Sequence, residues 1–110
     1  MEIRQVAEAF AVSGQIAPAD VAAIKAAGYR SIICNRPDNE EGAVPHEQIE
    51  AAAKEAGLAF RYLPAISGQL TQANVDDTAK ALGELEGPVF AYCRSGARST
   101  NLYTMAKQQG

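Results

Sequence analysis

Apolar residues in this chain arrive alternately as short β-rich runs and as stripes with a helical period. Between Ile3 and Val12 short apolar runs are mixed with polar residues and stop at Ser13-Gly14, which predicts one or two strands. From Pro18 to Ala27 the positions Val21, Ile24 and Ala27 fall on one helical stripe, with proline in the first turn and Gly28 where a left-handed cap belongs. Ser31-Ile32-Ile33-Cys34 reads as a strand buried on both faces and stops at Asn35-Arg36-Pro37-Asp38. A second helix is predicted from about His46 to Ala56, burying Ile49, Ala52, Ala53 and Ala56, with Gly57 as its cap. Ala59-Phe60-Arg61-Tyr62-Leu63 alternates like a strand. Thr71 is placed as the N-cap of a third helix with Val75, Ala79, Leu82 and Leu85 inward, ended by Gly87-Pro88. Pro88 to Tyr92 is the last strand, and Ser99 to about Gln108 the closing helix, with Leu102, Met105 and Ala106 inside.

Strands alternating with helices give an α/β fold, a small mainly parallel sheet flanked by helices. No internal repeat or low-complexity linker interrupts the pattern, so residues 1–110 are read as a single domain, one that could also be cut from a longer protein.

Composition changes this picture only by exclusion. Hydrophobic residues make up 47% and charged residues 21%, ordinary for a globular core, and the net charge of −3 is spread without long runs of one sign. Neither a nucleic-acid footprint nor a membrane-binding basic face is therefore expected. No apolar stretch approaches the roughly 18 residues that span a bilayer, and Met1-Glu2-Ile3-Arg4-Gln5 lacks the order of a signal peptide, so a cytoplasmic location is expected. The two cysteines, Cys34 and Cys93, form no Cys-x-x-Cys, and with a single histidine neither a disulfide framework, a metal site nor another cofactor is expected.

Candidate chemistry concentrates in Cys93-Arg94-Ser95-Gly96-Ala97-Arg98-Ser99, between the last strand and the last helix. In a parallel sheet, ligands bind beyond the carboxyl ends of strands, and a loop entering a helix aims several backbone N–H groups at one spot. A helix N-terminus and nearby arginines lower a thiol's pKa, which makes Cys93 a nucleophile. Arg98, and beside it Arg94, offer donors to a bound oxyanion, while Gly96 lets the backbone turn inward. Ser95, Gly96, Ala97 and Ser99 complete the anion cradle, and the Ser99 hydroxyl is placed to bond the thiolate or a leaving sulfur. The plainer alternative is a buried cysteine before a polar turn.

The loop, with Ala91-Tyr92 before it, resembles that of single-domain rhodaneses, with four residues between Cys93 and Arg98. Cysteine phosphatases, by resemblance, keep five there and usually a histidine before the cysteine, where this chain has Tyr92. Over the whole chain the match is to the bacterial beta-lactamase-hydrolase-like phosphatase-like family. It runs through Val12-Ser13-Gly14-Gln15-Ile16, Asn35-Arg36-Pro37-Asp38, Ala56-Gly57-Leu58 and Gly87-Pro88 up to the Cys93 loop. The resemblance implies the tyrosine/dual-specificity phosphatase fold. It also implies a stand-alone domain or a fusion to a metallo-β-lactamase-fold partner of sulfur-oxidising type.

Two reactions fit a cysteine-dependent group-transfer enzyme acting on a small anionic substrate. Phosphate ester hydrolysis through a phosphocysteine needs a general acid. In dual-specificity phosphatases, by resemblance, that acid is an aspartate on the loop before the penultimate helix. The corresponding Pro64-Ala65-Ile66-Ser67-Gly68-Gln69 has no carboxylate, which leaves Asp38 as the substitute. Sulfur transfer needs no acid, because thiosulfate or a small persulfide gives a sulfane sulfur to Cys93 and leaves as a tolerable anion. The sequence therefore ranks a rhodanese-like sulfurtransferase first, a phosphatase second and a non-catalytic anion-binding module third.

Arg36 and Asp38, at the carboxyl end of a strand, either border the Cys93 pocket, with Asp38 orienting an arginine, or form a loop salt bridge. Gln15 is similar to a polar position that the family keeps near its site. Cys34 reads as a small buried hydrophobe, with a resolving role toward Cys93 as the alternative. His46 reads as a solvated residue rather than a base, and Glu40-Glu41 as a solvated turn. Tyr62 and Tyr92 either line the pocket or pack against it.

Overall fold

In the computed structural model, which describes residues 1–109, the opening segment folds back on itself as a hairpin. Strand β1 (Arg4–Ala7) pairs antiparallel with β2 (Phe10–Ser13), Arg4 opposite Val12. A 3-10 turn at Pro18–Asp20 leads into α1 (Val21–Ala26). This helix is shorter than its stripe suggests. Val21 and Ile24 are buried, but Ala27 is exposed, because Gly28 at φ 102° turns the chain toward the buried Tyr29.

The alternation then runs β3 (Ser31–Cys34), α2 (His46–Ala56), β4 (Ala59–Tyr62), α3 (Gln72–Glu84), β5 (Val89–Tyr92) and α4 (Ala97–Gln109). Ile49 and Ala53 form the buried stripe of α2, with Ala52 and Ala56 at its half-buried margins. Thr71 caps α3 as its sequence position requires. Its hydroxyl accepts from the Asn74 backbone N–H at 3.1 Å, and its own N–H donates to Asn74 Oδ1 at 2.9 Å. Leu85 lies just past the last turn and is half-buried. Helix α4 begins two residues earlier than its apolar pattern shows, since its first turn buries the polar Arg98 and Ser99 instead.

The five strands form one sheet in the order β1-β2-β5-β3-β4, in which β2, β5, β3 and β4 are parallel. Side chains of period two feed opposite layers. Phe90 and Tyr92 of β5, with Ile32 and Cys34 of β3, pack on the side of Val21, Ile24 and Ile49 from α1 and α2. Val89 and Ala91, with Phe10, Val12 and Ile33, pack on the side of Ala81 from α3, and Phe10 stacks on Tyr103 of α4 at 4.2 Å. Each buried Ile or Phe contributes about 1.5–3 kcal/mol by leaving water. Among the described residues no helix is long and apolar enough to cross a membrane.

One consequence matters for function. The loops after β2, β3, β4 and β5 all leave the sheet at its carboxyl edge, and β5, the middle strand, brings Cys93 to the centre of that edge.

Candidate anion site at the carboxyl edge of the sheet

Cys93 is 1% exposed and follows β5 directly. Neighbouring strand ends fix it: its N–H donates to Ser13 O at 3.4 Å, and the Asn35 N–H donates to Tyr92 O at 2.8 Å. The chain then turns back over the sulfur, and the Gly96 N–H donates to Sγ at 3.0 Å. Burial pushes the Cys93 thiol up, but the N–H groups of Ser99, Ser95 and Gly96 and the Ser99 hydroxyl outweigh it, and the net shift is downward. The Ser99 hydroxyl donates to Asn35 Oδ1 at 2.8 Å.

Glycines allow this turn. Gly96 sits at φ 95°, and a Cβ there would run into the guanidinium of Arg4. Arg4 reaches across from β1 to donate to Ser95 O at 2.9 Å, clamping the loop from outside. A Cβ on Gly14 would stand 2.8 Å from Arg94 O, so the end of β2 passes close beneath the loop only because no side chain intervenes.

Arg98 is 7% exposed and its fork is already engaged. Nη1 donates to Glu40 Oε2 at 2.6 Å and to Ala65 O at 2.8 Å, and Nη2 donates to Glu40 Oε1 at 3.0 Å. A guanidinium carries five N–H bonds. Two, on Nε and the near side of Nη2, have no partner among the described residues and form one edge, which suits bidentate binding of an oxyanion. Arg98 and Cys93 are near enough for the thiolate charge to help hold the guanidinium protonated, after the larger effect of Glu40.

Glu40 also accepts from Arg36 Nε at 3.1 Å. Arg36, 6% exposed, donates through Nη1 to Gln15 Oε1 at 3.0 Å and through Nη2 to Glu41 O at 2.7 Å. Bonds from Arg98, then from Arg36, hold the Glu40 carboxyl below the usual carboxylate range against its partial burial. Arg36 lines the cavity over the loop, and Gln15 lies outside that lining, bound to Arg36. Glu40 is the correction: it is no solvated turn but the link between two arginines. Nothing in the sequence marks it, because the 36–42 loop is irregular and its reach to residue 98 is a tertiary fact.

Asp38 is the second correction. It neither orients an arginine nor lines the Cys93 cavity. Its carboxylate accepts from the His46 N–H at 2.9 Å and pairs with His46 Nδ1 at 2.7 Å, fastening the start of α2. Tyr62 supports this corner, its hydroxyl accepting from the Asp38 N–H at 3.0 Å and its ring stacking on His46 at 3.7 Å. Asp38, His46 and Glu47 place potential metal ligands within 4.8 Å of one another, with Asp38 engaged in this fastening. His46 is thereby half-buried and paired rather than solvated. Tyr92 is fully buried and packs beneath the site. Cys34 is 1% exposed, its Sγ donates to Arg36 O at 3.4 Å, and burial pushes its thiol up, as for a small core residue.

Over the loop opens a cavity of about 720 Å³. Arg94, Ser95, Ala97 and Arg98 form its floor, and Arg36, Glu40, Glu41 and Ser67 rise at its sides. The cavity therefore offers a small anion the Arg94 and Arg98 side chains over the loop that carries the buried Cys93 sulfur. Sequence reasoning placed the floor and missed Arg4, Glu40, Glu41, Ser67 and Asn35.

Residues 2–110 match the family described as Beta-lactamase hydrolase-like protein, phosphatase-like domain. Curated proteins named Beta-lactamase hydrolase-like protein are 38% identical in Xylella fastidiosa and 34% in Agrobacterium fabrum, each over 108 residues and 97% of this chain. The chain spans about a quarter, 25%, of the length of those relatives. A candidate phosphatase from Neisseria meningitidis superposes with a TM-score of 0.84 at 34% identity, covering 94% of this chain and 74% of that one. The core catalytic domain of the PP-IP phosphatase SIW14 from S. cerevisiae, bound to citrate, is similar in fold alone, with a TM-score of 0.62 at 15% identity. That likeness covers 96% of this chain and 74% of the yeast one.

Proposed function

The chain belongs to the phosphatase-like domain family of Beta-lactamase hydrolase-like proteins, and on that premise we propose that it is a cysteine-dependent phosphatase. Cys93 is its nucleophile and a phosphocysteine its intermediate. The observation that carries this reading is one short loop that holds both the Cys93 sulfur, under the Gly96 N–H at 3.0 Å, and Arg98, whose Nε edge enters no hydrogen bond among the described residues.

A phosphate ester seats its non-bridging oxygens on the loop N–H groups and on that Arg98 edge, with Arg94 at the cavity floor adding charge. The thiolate attacks phosphorus, and the bond to the leaving oxygen breaks. Water then attacks the phosphocysteine, releasing phosphate and restoring the thiolate, whose low basicity makes it a good leaving group. Glu40 holds Arg98 from the far end of its fork, so the seat is rigid before substrate arrives.

Sulfur transfer, which the sequence ranks first, becomes the second reading. Two specific features favour it: only four residues separate Cys93 from Arg98, and the 64–69 loop carries no carboxylate. The family and the structural likenesses support hydrolysis instead. We extend the proposal to a partner, a metallo-β-lactamase-fold domain fused or separate, supported by relatives named Beta-lactamase hydrolase-like protein, of whose length this chain spans 25%.

Incubation with an aryl phosphate and, separately, with thiosulfate tests both readings, with Cys93→Ser as control. Cys93-dependent phosphate release, with a protein mass gain of one phosphoryl group on rapid quenching, supports the phosphatase. Cys93-dependent sulfite release with a mass gain of one sulfur atom, and no phosphate release, overturns it in favour of sulfur transfer.

A further inference from the structure

The proposed hydrolysis needs a proton for the leaving oxygen, and the loop that supplies it in related folds has none to give here. Ala65 is buried and spends its carbonyl on Arg98, and Ser67 offers the cavity only a hydroxyl. Five titratable side chains line the cavity above Cys93: Arg36, Glu40, Glu41, Arg94 and Arg98. Three are guanidiniums, which do not deprotonate in proteins. Glu40 is held as a carboxylate by two arginines. Asp38 and His46 are bound to each other and lie outside the lining.

Glu41 remains. Its backbone is fixed, since Arg36 Nη2 donates to its carbonyl at 2.7 Å, while its carboxylate enters no hydrogen bond or ion pair among the described residues. Resting on the phosphatase reading, we infer that Glu41 is the general acid and base of the reaction, delivered from the loop after β3 rather than from the loop after β4. As the Cys93 thiolate forms the S–P bond, the ester P–O bond breaks and the leaving oxygen takes the Glu41 proton. In the second half the Glu41 carboxylate takes a proton from water as that oxygen bonds to phosphorus, the S–P bond breaks, and phosphate leaves.

The same placement gives Arg36 a second duty, because it couples the acid to the oxyanion seat. Through Nε it touches Glu40, which holds Arg98, and through Nη2 it holds the Glu41 backbone.

General acid assistance matters more as the leaving group becomes more basic. The full chain, Glu41→Gln and Glu41→Asp are therefore compared on p-nitrophenyl phosphate and phenyl phosphate, with circular dichroism and melting temperature showing that the fold is kept. Glu41→Gln is expected to lose about tenfold on the nitrophenyl ester and about 10²–10³-fold on the phenyl ester. Glu41→Asp should recover part of the phenyl phosphate rate. Equal losses on both esters, or no loss, overturn the role of Glu41 while leaving the phosphatase standing. Absence of any Cys93-dependent release from the parent chain overturns both readings together.

Discussion

Glu40 grips Arg98 end-on, with its two carboxylate oxygens 2.6 and 3.0 Å from Nη1 and Nη2, and leaves the Nε edge of the guanidinium without a hydrogen bond among the described residues. Two residues 58 positions apart thereby define where an oxyanion sits before any is bound.

Glu40→Gln removes the charge that compensates two buried arginines. We expect a loss of about 1–3 kcal/mol in denaturant unfolding near neutral pH. The pH dependence has a definite sign. Glu40 has a folded pKa below its ordinary value of 4.5, so its contribution is complete above 4.5 and disappears as pH falls through the depressed folded value. Stability curves of the parent and Glu40→Gln should therefore converge in acid. Curves that stay parallel below pH 4.5 would contradict the pairing.

Arg98→Lys keeps the charge but not the planar fork. kcat/KM for an aryl phosphate should fall by about 10²–10³-fold, with most of the loss in kcat, because the Nε edge acts on charge that develops in the transition state. A change confined to KM would reduce Arg98 to a ground-state anchor.

Alkylation of the two thiols should separate them. Cys93 ionises below the reference value of 9.0 and begins the loop that floors the cavity, so its reaction with iodoacetamide should show a midpoint under that value, while Cys34, whose thiol is pushed up inside the core, stays unmodified in the native protein. Ser99→Ala removes a hydroxyl that helps to hold the thiolate and should move the Cys93 midpoint upward. Peptide mass mapping across a pH series reads both thiols at once.

Gly96→Ala meets two obstacles at once, a φ of 95° and the guanidinium of Arg4. It should cost about 1–3 kcal/mol in thermal unfolding and abolish Cys93-dependent turnover. Adding Arg4→Ala should recover some stability without restoring activity, since the clash disappears but the strained backbone remains. Full recovery in the double variant would assign the whole effect to the clash.

The architecture was legible because local signals agreed. Gly28 and Gly57 ended helices where the apolar stripes ended, Thr71 opened one, and the buried run Ser31–Cys34 became an inner strand. The Cys93 floor was legible for a related reason, because its residues are consecutive and their chemistry needs only the strand before and the helix after. The walls were not. Glu40 and Arg98 meet across the sheet edge, Arg4 reaches the loop from a strand whose pairing the sequence left open, and Asp38 turned away to fasten α2. A carboxylate's target is set by which loop faces which, and neither hydrophobic period nor local spacing records that.

Asn35 links all of this into one part. Its N–H holds the carbonyl before Cys93, its Nδ2 holds Leu63 O at the end of the outer strand β4, and its Oδ1 takes the Ser99 hydroxyl proton. One residue thus ties the nucleophile's strand, the first turn of α4 and the edge strand together. The cradle and the outer strand therefore share a single amide as their joint.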